Sequence, residues 1–252
     1  MSGAELVRVR SLICGPDEVH VWRVELDGED AGTLATFLSS DERDYSSGFK
    51  YETLRRRWMA ARGALRVVLA AYTQIVPAAL RFMIEPTGKP KLVDANLPFN
   101  LTHTDHLAFI AVAAEGLVGI DAEIVHPEFP WEDLGRAFFA RQEVSAIFQL
   151  APELRTKAFY ACWTRKEAYL KAVGFGLQTA TNTFQVSVES DEPRLLRVDG
   201  DPEQAARWGL MDLSEAGVAV ALATNPAKRT TARFTFSMPQ LEQAATIRRA
   251  AS

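Results

Sequence analysis

Two acidic residues alternate along an apolar stretch near the middle of the chain, at a spacing that could place both beside one cation. Residues 117–125 are predicted to form a strand with one apolar face, and its other face carries Gly119, Asp121 and Glu123. Strand geometry would put the two acidic Cα atoms roughly 7 Å apart. Like charges on one face of a strand repel each other, so we expect a cation or a basic group between them. The alternative is an edge strand whose two acids are simply solvated.

A helix further along the chain offers a third acid. Residues 153–173 show helical periodicity, and Trp163, Glu167 and Lys171 recur in it at i, i+4 spacing. Spacing alone favours an ordinary surface pair between Glu167 and Lys171. A tryptophan on the same stripe is more typical of a face that contacts other protein or a ligand. Glu167 and Lys171 are therefore candidate site residues.

A polar pair, Thr102 and His103, ends a strand predicted at residues 99–103, one connection before the acidic strand. This histidine could reach an anion bound near the acids, although a single histidine is more often structural. No pair of histidines has the spacing of metal ligands.

Basic residues gather in two places. One is a loop that contains Lys89, and the other is the first long predicted helix, which carries Arg55, Arg56, Arg57, Arg62 and Arg66. Arginine forks suit phosphate oxygens, but a solvated helix face would have the same composition. The glycines near Lys89 and Phe175 lack the spacing of a P-loop or a dinucleotide fingerprint, so those nucleotide-binding classes are excluded.

The elements that must position these residues occur in the same order in each half of the chain. The first half is predicted to contain a strand at 19–26, a short helix at 30–38, a helix that begins at a Ser39 to Glu42 capping box, a long helix at 51–72, and strands at 80–84, 99–103 and 107–114. The second half contains a strand at 117–125, helices at 131–149 and 153–173, and strands near 183–189, 206–213 and 217–223. We expect an α+β fold of two similar subdomains, residues 1–116 and 117–252, with a site at their junction.

Three local expectations complete this prediction. Glu115 and Gly116 form a two-residue connection typical of a β-hairpin between residues 107–114 and 117–125. Gly119 is expected to leave open space beside the two acids. The end of the tail after Ala227 is polar and alanine-rich, and we expect it to be disordered.

Composition limits the class of protein. The chain has 252 residues, of which 48% are hydrophobic and 24% charged, and its formal net charge is -4. This balance argues against a nucleic-acid partner, which would need a basic surface. Two distant cysteines, Cys14 and Cys162, indicate neither a disulfide framework nor a zinc site. The start of the chain lacks a signal-peptide pattern, and its apolar runs are too short to span a membrane, so we expect a soluble cytoplasmic protein.

Four short motifs, taken in order, resemble those of the Sfp-type phosphopantetheinyl transferases. They are residues 88–90 (Gly-Lys-Pro), 99–103 (Phe-Asn-Leu-Thr-His), 119–123 (Gly-Ile-Asp-Ala-Glu) and 163–171 (from Trp163 to Lys171), and the resemblance covers roughly residues 37–177. The family fold is a pseudo-dimer of two similar α+β halves, which agrees with the duplicated order of elements.

The resemblance implies a role for each matched residue. Asp121, Glu123 and Glu167 would hold Mg²⁺, for which Mn²⁺ could substitute, against the pyrophosphate of coenzyme A. Glu167 would also act as general base for a serine of an apo acyl or peptidyl carrier protein. Lys171 and Lys166 would neutralise the phosphates as adenosine 3',5'-bisphosphate leaves. The nucleotide end would be held by Arg57, Arg62, Lys89, Thr102 and His103. The segment before the first long helix departs from the family pattern, because Glu42 and Asp44 flank Arg43 there.

Two alternatives use the same residues. One is a Mg²⁺-dependent phosphohydrolase that attacks a nucleotide pyrophosphate with water, and the other is a non-catalytic module that binds coenzyme A or a carrier protein. We favour the transferase, and we expect a monomer because an internal duplication can supply both halves of the site. Acceptor choice depends on surface contacts, so the carrier protein and its pathway do not follow from the motifs.

Overall fold

The computed structural model describes residues 12–174, 181–188 and 192–238. The first half of this part contains β1 (Glu18–Glu25), α1 (Ala31–Leu34), α2 (Ser40–Ser47), α3 (Glu52–Thr73), β2 (Phe82–Ile84), β3 (Pro90–Leu92), β4 (Phe99–Thr104) and β5 (Leu107–Ala113). The second half contains β6 (Leu117–Ile124), α4 (Glu132–Phe138), α5 (Arg141–Gln149), α6 (Pro152–Val173), β7 (Phe184–Val186), β8 (Leu195–Val198), β9 (Gly209–Asp212), β10 (Val218–Asn225) and β11 (Thr230–Thr235).

The predicted duplication is present in the order of the elements. Each half runs from one strand through short helices to a helix of 22 residues, then through a two-stranded ribbon to two further strands. The α+β fold is therefore confirmed. The last strand, β11, returns to the first half and pairs in parallel with β1. The division at residues 116 and 117 stays a prediction, and any such division has to assign β11 to the sheet of the first half.

Two sheets form the centre of the protein. The first has the strand order β11-β1-β5-β4 and the second the order β6-β10-β9. The hairpin predicted between β5 and β6 is wrong, since β5 pairs with β1 on one side and with β4 on the other. Both edges of β5 are thus used, and the turn at Gly116, whose φ is 77°, passes the chain to the second sheet.

Alternation along the strands explains a four-layer arrangement of helix, sheet, sheet and helix. On β5, Ala108, Ile110 and Val112 pack in the cluster that contains α3, whereas the residues between them pack against the second sheet. On β10, the alanines at 219, 221 and 223 pack in the cluster that contains α6. Small side chains on this face let α6 approach the second sheet closely.

The ends of the long helices follow from local sequence. The capping box predicted at Ser39 is present, with Glu42 N donating to Ser39 Oγ at 3.3 Å and Ser39 N donating to Glu42 Oε2 at 3.0 Å. Helix α6 has Pro152 in its first turn and ends at Gly174, whose φ of 86° suits glycine. The residues predicted as one helical pattern at 131–149 form two helices, α4 and α5.

Within the described residues, none of the helices combines the length and the apolar character that crossing a bilayer requires. The end of the tail, for which disorder was expected, lies at residues 239–252, outside the described part.

Candidate active site

The two sheets meet where the edge strand β4 lies beside the edge strand β6. Side chains of β4 reach backbone groups of β6: the amide of Ile120 donates to Asn100 Oδ1 at 2.8 Å, and the amide of Ile124 donates to Thr104 Oγ1 at 3.3 Å. Asn100 and Thr104 occupy alternate positions with Thr102 between them, so all three share one face of β4. We call this contact between β4 and β6 the seam. It fixes the acidic strand of the second half against the polar strand of the first.

Helix α6 packs directly on the acidic face of β6 at Gly119. A Cβ placed on Gly119 would lie 2.2 Å from the carbonyl oxygen of Ala168 and 2.4 Å from the amide nitrogen of Ala172. The expectation of open space at Gly119 is therefore wrong, because the backbone of α6 fills that space. This close approach brings the stripe that carries Trp163, Glu167 and Lys171 to the acids of β6.

Asp121 is the buried centre of the site, with 4% of its surface exposed. Lys171 Nζ donates to Asp121 Oδ1 at 2.5 Å and to Thr102 Oγ1 at 3.0 Å, and the Thr102 hydroxyl donates to the same carboxylate oxygen at 3.3 Å. The second oxygen, Asp121 Oδ2, is buried without a hydrogen-bond partner. A buried carboxylate oxygen without a donor is costly, and a bound cation would satisfy it.

The three acids act on one another electrostatically. Burial and the charges of Asp121 and Glu167 raise the pKa of Glu123 to about 7, against the opposing effects of Lys171 and a hydrogen bond from Trp163. Burial and the charge of Asp121 likewise raise the pKa of Glu167. Burial raises the pKa of Asp121 too, and Lys171 and Thr102 oppose that rise. Each carboxylate thus makes the charged form of its neighbours less favourable, as nearby like charges do.

The donor set fits a hard divalent cation. Three carboxylates supply only oxygen ligands, which Mg²⁺ and Mn²⁺ prefer over softer metals. In the present arrangement the Lys171 ammonium is the positive charge that the like charges of β6 were expected to require. The carboxylates are not among the groups of ligand atoms that lie within 4.8 Å of one another in the described part of the chain. Coordination of one cation by all three carboxylates therefore requires their side chains to move.

His103 and Lys89 lie close to this centre but in different surroundings. Partial removal from water and the charge of Lys171 lower the pKa of His103, which favours a neutral ring. Lys89 Nζ donates to the carbonyl oxygens of Val118 and Ala172, at 3.0 Å each, and so ties β6 to the end of α6. Burial lowers the pKa of Lys89 to about 8.

The two arginines predicted to bind the nucleotide are paired with acids. Arg57 bonds to Asp27 and Asp105, and these bonds hold its pKa above the ordinary value. Arg62 bonds to Glu42 and lies over the ring of Phe82, 4.1 Å from its centroid. The structure thus does not bring either guanidinium into contact with the acids of β6.

Lys166 is placed away from the other predicted residues. Its ammonium is buried and donates to Glu143 Oε1 at 2.8 Å and to the carbonyl oxygen of Phe184 at 2.9 Å. Glu143 is fully buried and also accepts bonds from the amides of Ala140 and Val186. Lys166 therefore ties α6 to α5 and β7 in this arrangement, and its implied contact with the phosphates stays a prediction.

Two residues of the seam, Asn100 and Thr104, were missed as candidates. The signal that could have found them is the run of polar side chains at alternate positions of a strand otherwise typical of a core. Both side chains accept hydrogen bonds from backbone amides of β6, and sequence patterns do not identify β6 as their partner strand. The fold and the site together define a protein of two α+β halves. At their junction it carries three carboxylates that could bind a cation, together with a lysine.

Comparison with known proteins agrees with this class. The 4'-phosphopantetheinyl transferase superfamily matches residues 117–223. The 4'-phosphopantetheinyl transferase HetI of Nostoc sp. is 37% identical over 203 residues, which cover 78% of this chain and 83% of HetI. The transferase Sfp of Bacillus subtilis is 25% identical over 167 residues, covering 66% of this chain and 73% of Sfp. The chain belongs to the 4'-phosphopantetheinyl transferase superfamily, and its enzyme class is that of a phosphopantetheinyl transferase.

Among solved structures, the holo-[acyl-carrier-protein] synthase of Thermotoga maritima aligns with 45% of this chain and 64% of its own chain. The TM-score is 0.37 and the identity 23%, and a likeness of this extent carries no argument about the site.

Proposed function

We propose that the protein transfers the 4'-phosphopantetheine arm of coenzyme A to a serine of an apo acyl or peptidyl carrier protein, with Mg²⁺, and releases adenosine 3',5'-bisphosphate. The observation that carries this proposal is the buried Asp121 carboxylate at the seam, with Lys171 on one oxygen and no donor on the other. Transfer from a pyrophosphate brings a weak hydroxyl nucleophile to a strongly anionic centre, so it needs a base, a cation and positive charge near the leaving phosphate. The site offers residues for all three.

Asp121, Glu123 and Glu167 would hold Mg²⁺, with Mn²⁺ as a substitute of the same ligand preference. The bound cation would supply charge neutralisation on the pyrophosphate oxygens. The cation would bind most favourably at Asp121 Oδ2, because that atom is buried without a hydrogen-bond partner.

Lys171 would stabilise the leaving phosphate. Its ammonium already lies between the two halves, bonded to Thr102 and Asp121, so the seam holds a positive charge in place before substrate binds. Thr102 orients that ammonium through its hydroxyl. We also place His103 and Lys89 beside the nucleotide end, because both lie near the same centre. Arg57 and Arg62 could join them only by exchanging their carboxylate partners for phosphate.

Glu167 would accept the proton of the carrier serine. A general base works best when its pKa lies near the operating pH, and the rise in the pKa of Glu167 moves it in that direction. Its side chain is half-buried, so it remains reachable from outside the protein. Either direct transfer or transfer through one water is compatible with this position.

Intact-mass spectrometry of an apo carrier protein, incubated with the enzyme, coenzyme A and Mg²⁺, tests the proposal. We expect the carrier to gain one phosphopantetheine group, and adenosine 3',5'-bisphosphate to appear in equal amount. Coenzyme A cleavage without any change in carrier mass would instead support the phosphohydrolase. A panel of carriers from fatty acid, polyketide and peptide pathways would identify the acceptor.

Variants separate the site from the fold. Asp121→Ala and Glu167→Ala should abolish transfer while circular dichroism remains that of the folded protein. The matched control is Glu153→Ala, an exposed acid in the first turn of the same helix, which should transfer at the wild-type rate. Wild-type rates in Asp121→Ala or Glu167→Ala would remove these residues from the mechanism.

We further propose that the enzyme acts as a monomer in the cytoplasm. Both halves of the site come from one chain, and size-exclusion chromatography with light scattering would test the first of these statements. Cys14 and Cys162 form no disulfide, which is compatible with a reducing compartment.

A further inference from the structure

A second group of metal-ligating side chains lies at the start of β1, apart from the acids of the seam. Cys14, Glu18 and His20 offer a sulfur, a carboxylate oxygen and a ring nitrogen that all lie within 4.8 Å of one another. The turn at residues 15–18, closed by a bond from the amide of Glu18 to the carbonyl of Gly15 at 3.1 Å, brings Cys14 back beside β1. Chain reversal thus converts a sequence spacing of four and two residues into a cluster.

The separations in this cluster suit zinc. Tetrahedral Zn²⁺ with bonds of about 2.0 to 2.3 Å to nitrogen, oxygen and sulfur places its ligand atoms roughly 3.3 to 3.7 Å apart. His20 Nε2 and Glu18 Oε2 are already 3.4 Å apart. The sulfur has to approach by no more than about 1 Å to complete three ligands, because 4.8 Å is the upper bound of the separations.

Surrounding hydrogen bonds would orient the ligands. The other ring nitrogen, His20 Nδ1, is 2.6 Å from the hydroxyl of Tyr72, at the end of α3, and the Trp22 indole donates to the same hydroxyl at 3.1 Å. Metal-bound histidines commonly donate their second N–H to an oxygen acceptor, a carboxylate, a carbonyl or water, and the Tyr72 hydroxyl would be that acceptor here. The amide of Gly15 donates to Glu18 Oε2 at 2.9 Å and fixes the carboxylate.

We propose that Cys14, Glu18 and His20 form a zinc site, with a fourth position open to water. Thiolate and imidazole ligands favour Zn²⁺, whereas the all-carboxylate set at the seam favours Mg²⁺ or Mn²⁺. The Cys14 thiol releases its proton to solvent when the metal binds. Bound zinc joins the segment before β1 to β1 itself and, through Tyr72, to α3, so it stabilises the first half without taking part in transfer.

Zinc titration of the tag-free chain in an Asp121→Ala background tests this site, because that background removes the central acid at the seam. Zn²⁺ is delivered from a chromophoric chelator to protein stripped of metal, and Cys14→Ser, Glu18→Gln and the control Cys162→Ala are compared. Co²⁺ substitution gives a second readout, since a thiolate ligand produces a near-ultraviolet charge-transfer band. Circular dichroism verifies that each variant is folded.

The expected result is one Zn²⁺ per chain in the background protein and in Cys162→Ala. In Cys14→Ser and Glu18→Gln, the affinity for Zn²⁺ should fall by at least roughly 10- to 100-fold. Loss of a residue that only hydrogen-bonds to a metal ligand already has an effect of that size, and these variants lose a ligand itself. The cobalt band should disappear in Cys14→Ser, and zinc should raise the melting temperature of the background protein more than that of this variant. Zinc affinity equal in the background protein and both ligand variants, or no binding in any of them, would overturn the proposal. The latter result would mean that a metal-free hydrogen-bond chain through Tyr72, His20 and Glu18 is the resting arrangement.

Discussion

Gly119→Ala should impair the enzyme strongly although the substitution adds a single methyl group. The added Cβ would lie 2.2 Å from the carbonyl oxygen of Ala168, whereas ordinary contact begins at 3.4 Å. Helix α6 would have to move by about 1.2 Å, because the obstructing atoms are its own backbone and cannot turn aside. That movement carries Glu167 and Lys171 away from Asp121.

The size of the effect follows from this displacement. A misplacement of about 1 Å in a catalytic arrangement can lower a rate by around 100-fold, and overpacking of a core typically costs about 1 to 3 kcal/mol of stability. We therefore expect the rate of carrier modification to fall by about two orders of magnitude in a protein that still folds. Mass spectrometry of carrier samples quenched at successive times gives the rate, and urea denaturation gives the free energy of unfolding.

Gly32→Ala is the matched control, because a Cβ at Gly32 would meet nothing within 4 Å. It should leave the rate and the free energy of unfolding close to those of the wild type. A Gly119→Ala protein with the wild-type rate would show that the distance between α6 and β6 does not control the site.

Three further predictions concern the surroundings of the site. Lys166→Met should lower the free energy of unfolding by about 3 to 5 kcal/mol, because it leaves the buried Glu143 without its partner, while KM for coenzyme A stays unchanged. A raised KM at unchanged stability would restore Lys166 to the phosphates. Asn100→Ala should cost about 1 to 3 kcal/mol, since the Ile120 amide loses its acceptor, and should slow transfer, as urea denaturation and carrier assays would measure. For Glu123, a folded-state pKa of about 7 means that Mg²⁺ affinity, measured by calorimetry, rises as pH increases through 7. The raised pKa also affects the stability of the metal-free chain. The contribution of this carboxyl to the free energy of unfolding is fully present below its unfolded pKa of about 4.5, and it is lost as pH rises through about 7. Affinity and stability that are both independent of pH in this window would contradict the assignment.

Local patterns predicted much of the fold because they depend on short-range geometry. Alternation on β6 placed Asp121 and Glu123 on one face, and helical spacing placed Glu167 and Lys171 on one stripe, as the structure has them. The capping box at Ser39 was also predicted correctly, because it depends only on residues within one helical turn.

Two of the failures concern contacts between distant parts of the chain. The hairpin was predicted because Glu115 and Gly116 form a suitable turn, but a turn does not reveal that β5 is already paired on both sides. Gly119 suggested space, and only the position of α6 shows that helix backbone occupies it.

Lys166 illustrates a different limit. It follows the family motif beside Glu167, yet adjacent residues of a helix point about 100° apart. The side that faces β6 carries Glu167, and Lys166 is left to pair with Glu143. A motif thus identifies residues that occur together without showing which of them share a site.

In the proposed mechanism, carboxylates from two separate elements of the second half, β6 and α6, form one Mg²⁺ site at the seam. Titration with Mn²⁺ followed by electron paramagnetic resonance measures this site directly and does not depend on activity.

We predict one bound Mn²⁺ per wild-type chain that Mg²⁺ displaces, and a loss of affinity of at least about 10-fold in Asp121→Asn, in Glu123→Gln and in Glu167→Gln. Glu153→Gln, on the same helix as Glu167, should bind as the wild type does. Mn²⁺ affinity that is unchanged in Glu167→Gln, while Asp121→Asn loses it, would contradict a site shared between β6 and α6.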